Sequence, residues 1–223
     1  MKAELNHSRS YRGLTQDERR TERRARLVAA AIAVYGERGY HQATVKAVCE
    51  AAGLTERYFY ESFVNSEALL IDSFNLVTYS VLGDVKRAAR EAGRGRVARL
   101  RAMLHAYFSA LQREPQSARV FLVEIRGVSR AVDQAFDAAL RAIGHEVARI
   151  VAPSGQPGDE LLQAGVVGGV MHIALRWIDA GYRPGIESVV DSALQLGMLL
   201  SARPARGARA RAAGTLTAPA PSA

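Results

Sequence analysis

The chain has 223 residues, of which 48% are hydrophobic and 23% charged, close to ordinary globular usage. This composition excludes wholesale disorder and collagen. The length predicts one or two domains with a hydrophobic core large enough to fold without disulfides or bound metal ions. The single cysteine, Cys49, excludes an internal disulfide and a multi-cysteine zinc site. The longest stretch without strongly polar residues, about 164–173, is too short to span a membrane, and residues 1–26 contain no signal-type apolar run. We therefore expect a cytoplasmic protein without a membrane partner.

The net charge of +8 is concentrated at the two ends of the chain. Residues 1–63 hold 11 Lys or Arg and 8 Asp or Glu, a net +3, whereas residues 64–202 hold 15 and 14, a net +1. Residues 203–223 hold four arginines and no acidic residue. A basic end beside a small helical module favours a polyanionic partner such as nucleic acid. The alternative is that the basic ends are solvated and bind nothing.

Almost every segment has helical periodicity and none alternates for long with a period of two, which predicts an all-α protein. Residues 1–14 are expected to form a flexible arm. Thr15 or Asp17 can cap a first helix, and Gly39 is placed to end it as a C-terminal glycine.

Two short helices, joined at Gly53, are predicted next. Thr44 is expected to cap the first of them, which carries apolar residues on one face. Thr55 caps the second, and Phe59 and Phe63 form its buried edge. Each helix has about nine residues, so the pair has the size of a helix-turn-helix.

The remainder of the chain is predicted to be helical up to residue 203. Ser66 can cap a long fourth helix that ends near Glu91. Prolines separate the later helices, which we expect at Val97–Arg113, Gln116–Gly127, Arg130–Ala152, Asp159–Ala180 and Ile186–Arg203. The segment after Pro204 is too poor in large apolar residues to fold. The predicted domains are an arm (1–14), a three-helix N-terminal domain (15–65), a helical C-terminal domain (66–203) and a disordered basic tail (204–223).

The third helix presents a polar face to solvent. With Phe59 turned toward the core and about 100° of rotation per residue, Arg57 and Glu61 point outward, and Tyr58 and Tyr60 lie on the two flanks. An arginine can pair with guanine, and tyrosine hydroxyls can hold phosphate, so this surface could read DNA. The alternative is that Arg57 and Glu61 are ordinary i, i+4 partners on a solvated helix.

The run from Thr44 to Phe63, continuing to Leu70, resembles the N-terminal DNA-binding domain of TetR-family transcriptional regulators. It combines a threonine cap, an Ala-Ala-Gly turn and a Tyr-Phe-Tyr segment before the closing phenylalanine. Ser66 departs from the pattern, because the family usually has a lysine there. The candidate DNA-binding residues, from the resemblance and the face calculation together, are Thr44, Lys46, Thr55, Arg57, Tyr58, Tyr60, Glu61 and Arg23.

The resemblance also implies a C-terminal helical domain that binds a small-molecule effector and forms a homodimer through its last two helices, about 159–180 and 186–203. Gly165, Gly168 and Gly169 would allow helices to approach closely there, either between subunits or within one. Candidate pocket residues are Tyr107, Phe121, Glu124, His172 and Trp177.

Catalytic and metal sites are not indicated. The five histidines show no paired ligand spacing, and no phosphate loop or nucleophile motif occurs, so we expect neither an enzyme nor a cofactor. The sequence predicts a ligand-responsive regulator that binds a near-palindromic site on double-stranded DNA as a dimer. A repressor is favoured over an activator. Two alternatives are an all-helical enzyme or lipid carrier with incidental basic termini, and a protein that coats nucleic acid without specificity.

Overall fold

The computed structural model describes residues 15–151 and 159–201, and this part of the chain contains helices and no strand. The all-α prediction is therefore confirmed. The expected arm (1–14) and tail (204–223) lie outside the described residues. The α-helices are α1 Gln16–Arg38, α2 Val45–Ala52, α3 Glu56–Ser62, α4 Ser66–Glu91, α5 Arg96–Arg113, α6 Pro115–Arg119, α7 Arg130–Val151, α8 Glu160–Asp179 and α9 Ile186–Ser201.

The first helix boundaries follow from local capping. Thr15 caps α1 in a reciprocal capping box with Glu18, and Gly39 ends the helix with a φ of 84°. Thr44 caps α2 by accepting the Ala47 backbone N–H at 3.1 Å.

The cap expected at Ser66 is wrong, because Asn65 caps α4 and Ser66 is its first residue. The Asn65 side chain accepts the Ala68 N–H at 2.8 Å. Asn and Ser are equally good caps at adjacent positions, so propensity cannot choose between them. Thr55 stands at the N-cap of α3, but its side chain makes no capping hydrogen bond.

The segment 116–127, predicted as one helix, contains two helical elements in the structure. The short helix α6 runs directly into a π-helical turn, Val120–Glu124, in which every residue except Val123 is buried. A continuous apolar run such as Val-Phe-Leu-Val does not distinguish α from π geometry, and π-helical turns are often found at functional sites.

The N-terminal helices are joined to the rest of the molecule by one continuous hydrophobic core. Helix α1 packs against α2 and α3 on one side and against α4, α6 and the π-helical turn on the other. Beyond them, α4 lies against α5 and α7, α5 against α9, and α8 against α7 and α9. The π-helical turn thus contacts both α1 of the N-terminal domain and α4 of the bundle.

By length and composition alone, α4 and α8 are apolar enough to cross a membrane. Both pack against other helices of the bundle, which bury 39% of the apolar window of α4 and 28% of that of α8. Helix α8 nevertheless leaves an apolar strip uncovered, described below.

Candidate nucleic-acid interface and apolar cavity

The turn between α2 and α3 has a fixed geometry. Gly53 adopts a left-handed conformation with φ 63°, and its N–H donates to the Glu50 carbonyl oxygen at 3.0 Å. The Leu54 N–H donates to the Cys49 carbonyl oxygen at 2.9 Å, which completes a Schellman-type ending of α2. The direction in which α3 leaves α2 is therefore set by the backbone.

Helix α3 is anchored by its apolar edge. Phe59 is fully buried, Phe63 is 3% exposed, and their rings pack 5.9 Å apart between centroids. Anchoring this edge turns the opposite face to solvent: the Arg57 side chain is 85% exposed and Tyr60 is 62% exposed. Tyr58 is half-buried. These orientations agree with the face calculation.

The charged groups of this surface are already paired with one another. The Arg57 Nε donates to Glu61 Oε1 at 3.0 Å. The Arg23 guanidinium lies 4.5 Å from the centroid of the Tyr58 ring, and its Nη2 is 3.9 Å from Glu61 Oε2. The exposed i, i+4 pair of Arg57 and Glu61 contributes only about 0.3–0.5 kcal/mol, so a stronger partner can displace it.

The remaining candidate contacts lie at the helix starts. Thr44 and Thr55 are exposed at the N-caps of α2 and α3, and Lys46 has a 74% exposed side chain. Lys46 Nζ lies 4.0 Å from Glu50 Oε1.

Several arginines of α1 serve the helix-turn-helix in a way that the sequence analysis missed. Arg20 donates to the carbonyl oxygen of Glu61 at 3.1 Å, and Arg24 donates to that of the last residue of α3. Arg26 donates to the last carbonyl of α2 at 2.7 Å. These contacts satisfy free helix-end carbonyls and place positive charge at the negative helix ends. The charge of α1 was the only sequence signal for them.

Cys49 is packed inside this domain, as expected. It is 2% exposed, and burial raises the pKa of its thiol. Among residues 15–151 and 159–201, no cluster of three His, Cys, Asp or Glu side chains could hold a metal ion.

A cavity of about 100 Å³ lies in the C-terminal bundle. Aliphatic side chains from α4, α5, α7 and α8 form most of its wall, and none of its described lining residues is charged. Tyr107, Phe121 and Thr78 also line it. The Thr78 hydroxyl donates to the Phe74 carbonyl oxygen at 2.8 Å, so the wall offers few free polar groups. Such a cavity suits an apolar ligand.

The five pocket candidates are placed in different parts of the bundle. Tyr107 and Phe121 line the cavity, whereas Glu124, His172 and Trp177 are not among its lining residues. Trp177 is buried, and its Nε1 donates to a backbone carbonyl at 2.7 Å. His172 lies on the exposed side of α8.

Glu124 joins the π-helical turn to the N-terminal domain. Its side chain is 8% exposed, and its Oε2 accepts the Tyr40 backbone N–H at 2.7 Å. Its Oε1 accepts the Arg119 Nε–H, also at 2.7 Å. Tyr40 follows Gly39 directly at the end of α1. The sequence analysis named Glu124 as a pocket candidate, but it could not indicate a partner 84 residues away.

The outer side of α8 is apolar and uncovered. Leu161 is 85% exposed, and open space surrounds the position that a Cβ atom would take at Gly165 and at Gly168. At Gly169 the same position would be 2.9 Å from Leu196 Cδ1, so this glycine serves the contact between α8 and α9 of one chain. The glycines thus divide between an internal contact and an open surface.

Comparison with known proteins defines the class. Residues 27–72, which contain the helix-turn-helix, match the family described as bacterial regulatory proteins, tetR family. This segment is thus similar to the tetR family, and the resemblance found in the sequence is confirmed.

The individual relatives are more distant. The chain is 30% identical over 101 residues to the HTH-type transcriptional activator FasR of Mycolicibacterium smegmatis. That match covers 45% of this chain and 46% of FasR, so the chain spans less than half the length of this relative.

Solved structures show the fold along most of the chain. The fatty acid degradation regulator FadR of Bacillus halodurans superposes with a TM-score of 0.67 at 21% identity, covering 78% of this chain and 97% of FadR. FadR of Bacillus subtilis, in complex with stearoyl-CoA, gives a TM-score of 0.65 at 20% identity, covering 78% of this chain and 96% of that FadR.

Proposed function

We propose that the protein is a transcriptional regulator that binds DNA as a homodimer and releases or engages it in response to an apolar effector. The observation that carries the proposal is the outward face of α3, where Arg57 and Tyr60 are exposed opposite the buried Phe59. A helix held this rigidly by its apolar edge can present the same polar groups to every DNA molecule that it meets.

The roles on DNA follow from the positions of the side chains. Arg57 is the candidate for a base contact, since its planar fork matches the guanine O6 and N7 atoms once it leaves Glu61. Tyr60, Thr44 and Lys46 are candidates for phosphate contacts, which position the protein without reading sequence. Two such domains related by a twofold axis would bind a near-palindromic site.

The open face of α8 supports the dimer. Exposed Leu161 and the uncovered positions at Gly165 and Gly168 would allow a second α8 to approach closely. A twofold arrangement would bury this strip in both subunits, and His172 lies on the same exposed side.

The cavity supports an effector with an apolar chain, and the stearoyl-CoA bound to FadR of Bacillus subtilis is a ligand of that kind. At about 100 Å³ the cavity is small. An engineered apolar cavity of about 150 Å³ accommodates benzene, so a longer chain would have to push the helices apart here. In a densely packed bundle such a displacement is passed to neighbouring elements.

The π-helical turn is the element through which this displacement would reach the DNA-binding domain. Phe121 lines the cavity, and Glu124 in the same turn holds the Tyr40 N–H at the end of α1. An effector that fits better when this turn is shifted would favour a different orientation of the helix-turn-helix. Its effect is limited to its difference in affinity for the two arrangements.

The test is selection of DNA by the full-length protein from a pool of random duplexes of about 30 base pairs, long enough for two half-sites one helical turn apart. We expect enrichment of a near-palindromic sequence by the wild type and weaker, less selective binding by Arg57→Ala. Arg141→Ala removes an exposed arginine from α7 and is the matched control for charge. If the wild type enriches no sequence, the regulator is refuted and the helical enzyme or carrier becomes the better interpretation.

The direction of regulation needs a separate measurement. The family resemblance favours a repressor, whereas FasR is named an activator. Transcription in vitro from a promoter that carries the selected sequence distinguishes the two, because a repressor lowers transcript yield and an activator raises it.

A further inference from the structure

The hydroxyl of Tyr107 is buried without a hydrogen-bond partner. Tyr107 is 9% exposed and lines the cavity on α5, and its hydroxyl oxygen has no partner among the described residues. Burial raises the pKa of the phenol, so the group stays protonated and able to donate at any physiological pH. Tyr107 therefore brings a free donor to a wall that is otherwise mostly aliphatic.

An unpaired buried hydroxyl destabilises the ligand-free fold, because it has lost its water without gaining a protein partner. The Thr78 hydroxyl, another polar group of the wall, is not available as a donor because it already donates to the Phe74 carbonyl oxygen. A phenylalanine would fill the same space without this cost. The hydroxyl is thus best explained by a partner that arrives with the ligand.

We propose that the Tyr107 hydroxyl donates a hydrogen bond to an uncharged carbonyl oxygen of the effector, such as that of an ester or thioester attached to an apolar chain. This inference rests on the proposed effector site and specifies its chemistry. A free carboxylate fits poorly, because none of the described lining residues carries a positive charge that could offset its desolvation.

The experiment measures displacement of the fluorescent apolar probe N-phenyl-1-naphthylamine from the full-length protein by methyl dodecanoate, by dodecanoate and by tridecane. In the wild type, methyl dodecanoate should compete best. Tyr107→Phe should weaken its binding roughly tenfold, the upper range for one hydrogen bond, and leave tridecane unchanged. Tyr79→Phe removes a hydroxyl from a 73% exposed position and serves as the control.

Thermal unfolding without ligand provides a second readout. Tyr107→Phe should raise Tm by about 2–4 °C, because it removes a buried polar group that has no hydrogen-bond partner. A lower Tm would show that the hydroxyl has a structural partner, and would overturn the proposal.

The role of Tyr107 and the apolar effector site are refuted by different outcomes. If the wild type binds methyl dodecanoate and Tyr107→Phe binds it equally well, the role of Tyr107 is refuted and the effector site stands. If dodecanoate competes as well as its methyl ester, the requirement for an uncharged carbonyl is refuted. If neither methyl dodecanoate nor tridecane displaces the probe, the apolar effector is refuted together with the inference built on it, while DNA selection still tests the regulator.

Discussion

Replacing Glu124 with glutamine tests how firmly the π-helical turn is joined to the N-terminal domain. The carboxylate accepts two hydrogen bonds of 2.7 Å, one from the Tyr40 N–H and one from Arg119. The Arg119 side chain is 45% exposed and can be hydrated, so its loss costs little. The Tyr40 bond is part-buried and charge-assisted, a class worth about 1.5–3 kcal/mol.

Glutamine keeps the shape of the side chain but offers one acceptor oxygen in place of two, and its amide N–H₂ group opposes whichever donor remains. Its oxygen can keep the bond to the Tyr40 N–H, while the exposed Arg119 turns to water, so the main loss is the charge assistance of the Tyr40 bond. We therefore expect Glu124→Gln to lower the free energy of unfolding by about 1–1.5 kcal/mol. For a chain of this size this corresponds to a decrease in Tm of roughly 2–6 °C.

Urea unfolding followed by circular dichroism measures this difference. Glu114→Gln is the matched control, because Glu114 pairs with Arg113 at 3.4 Å on the surface with a 52% exposed side chain. The control should change stability by less than about 0.5 kcal/mol. If Glu124→Gln is as stable as the control, the carboxylate does not hold the two parts together and the route from cavity to helix-turn-helix loses its physical basis.

Three further outcomes are expected. Arg57→Ala should cost about 1–3 kcal/mol on the selected DNA and relax preference at one base pair per half-site, whereas Tyr60→Phe should weaken binding to all sequences alike; titration against single-base variants separates the two. Gly197→Ala should destabilise the bundle by about 1–3 kcal/mol in urea unfolding, because its Cβ would stand 2.7 Å from Leu100 Cδ2; a wild-type midpoint would contradict this. Deleting residues 204–223 should leave Tm and oligomeric state unchanged, since that segment has one large apolar residue; a Tm several degrees lower would show that the tail packs.

Features that depend on neighbouring residues could be predicted from the sequence. The cap at Thr44, the left-handed Gly53 and the buried edge of Phe59 and Phe63 each follow from spacing and side-chain chemistry. The outward face of α3 follows in turn, because fixing one edge of a helix fixes the opposite one.

Features that depend on distant residues could not be predicted from the sequence. The partner of Glu124 at Tyr40 is 84 residues away, and no periodic pattern connects the two. The choice of Asn65 over Ser66 as a cap depends on backbone angles at two nearly equivalent positions. The cavity depends on how five helices pack together, so Tyr107 could be named as a candidate without its unpaired hydroxyl being foreseen.

The arginines of α1 change the meaning of the basic charge at the N-terminus. Helix α3 has only seven residues, far too few to be stable alone. Arg20 and Arg24 bind its C-terminal carbonyl oxygens, so part of the positive charge that suggested a polyanion instead stabilises α3. Charge that is committed in this way contributes less to phosphate neutralisation than the net +3 of residues 1–63 indicates. Within the described residues, we therefore expect the surface around Arg57 and Tyr60 to contact DNA through hydroxyls and backbone N–H groups as well as cations, an arrangement that would favour specific contacts over general attraction to DNA.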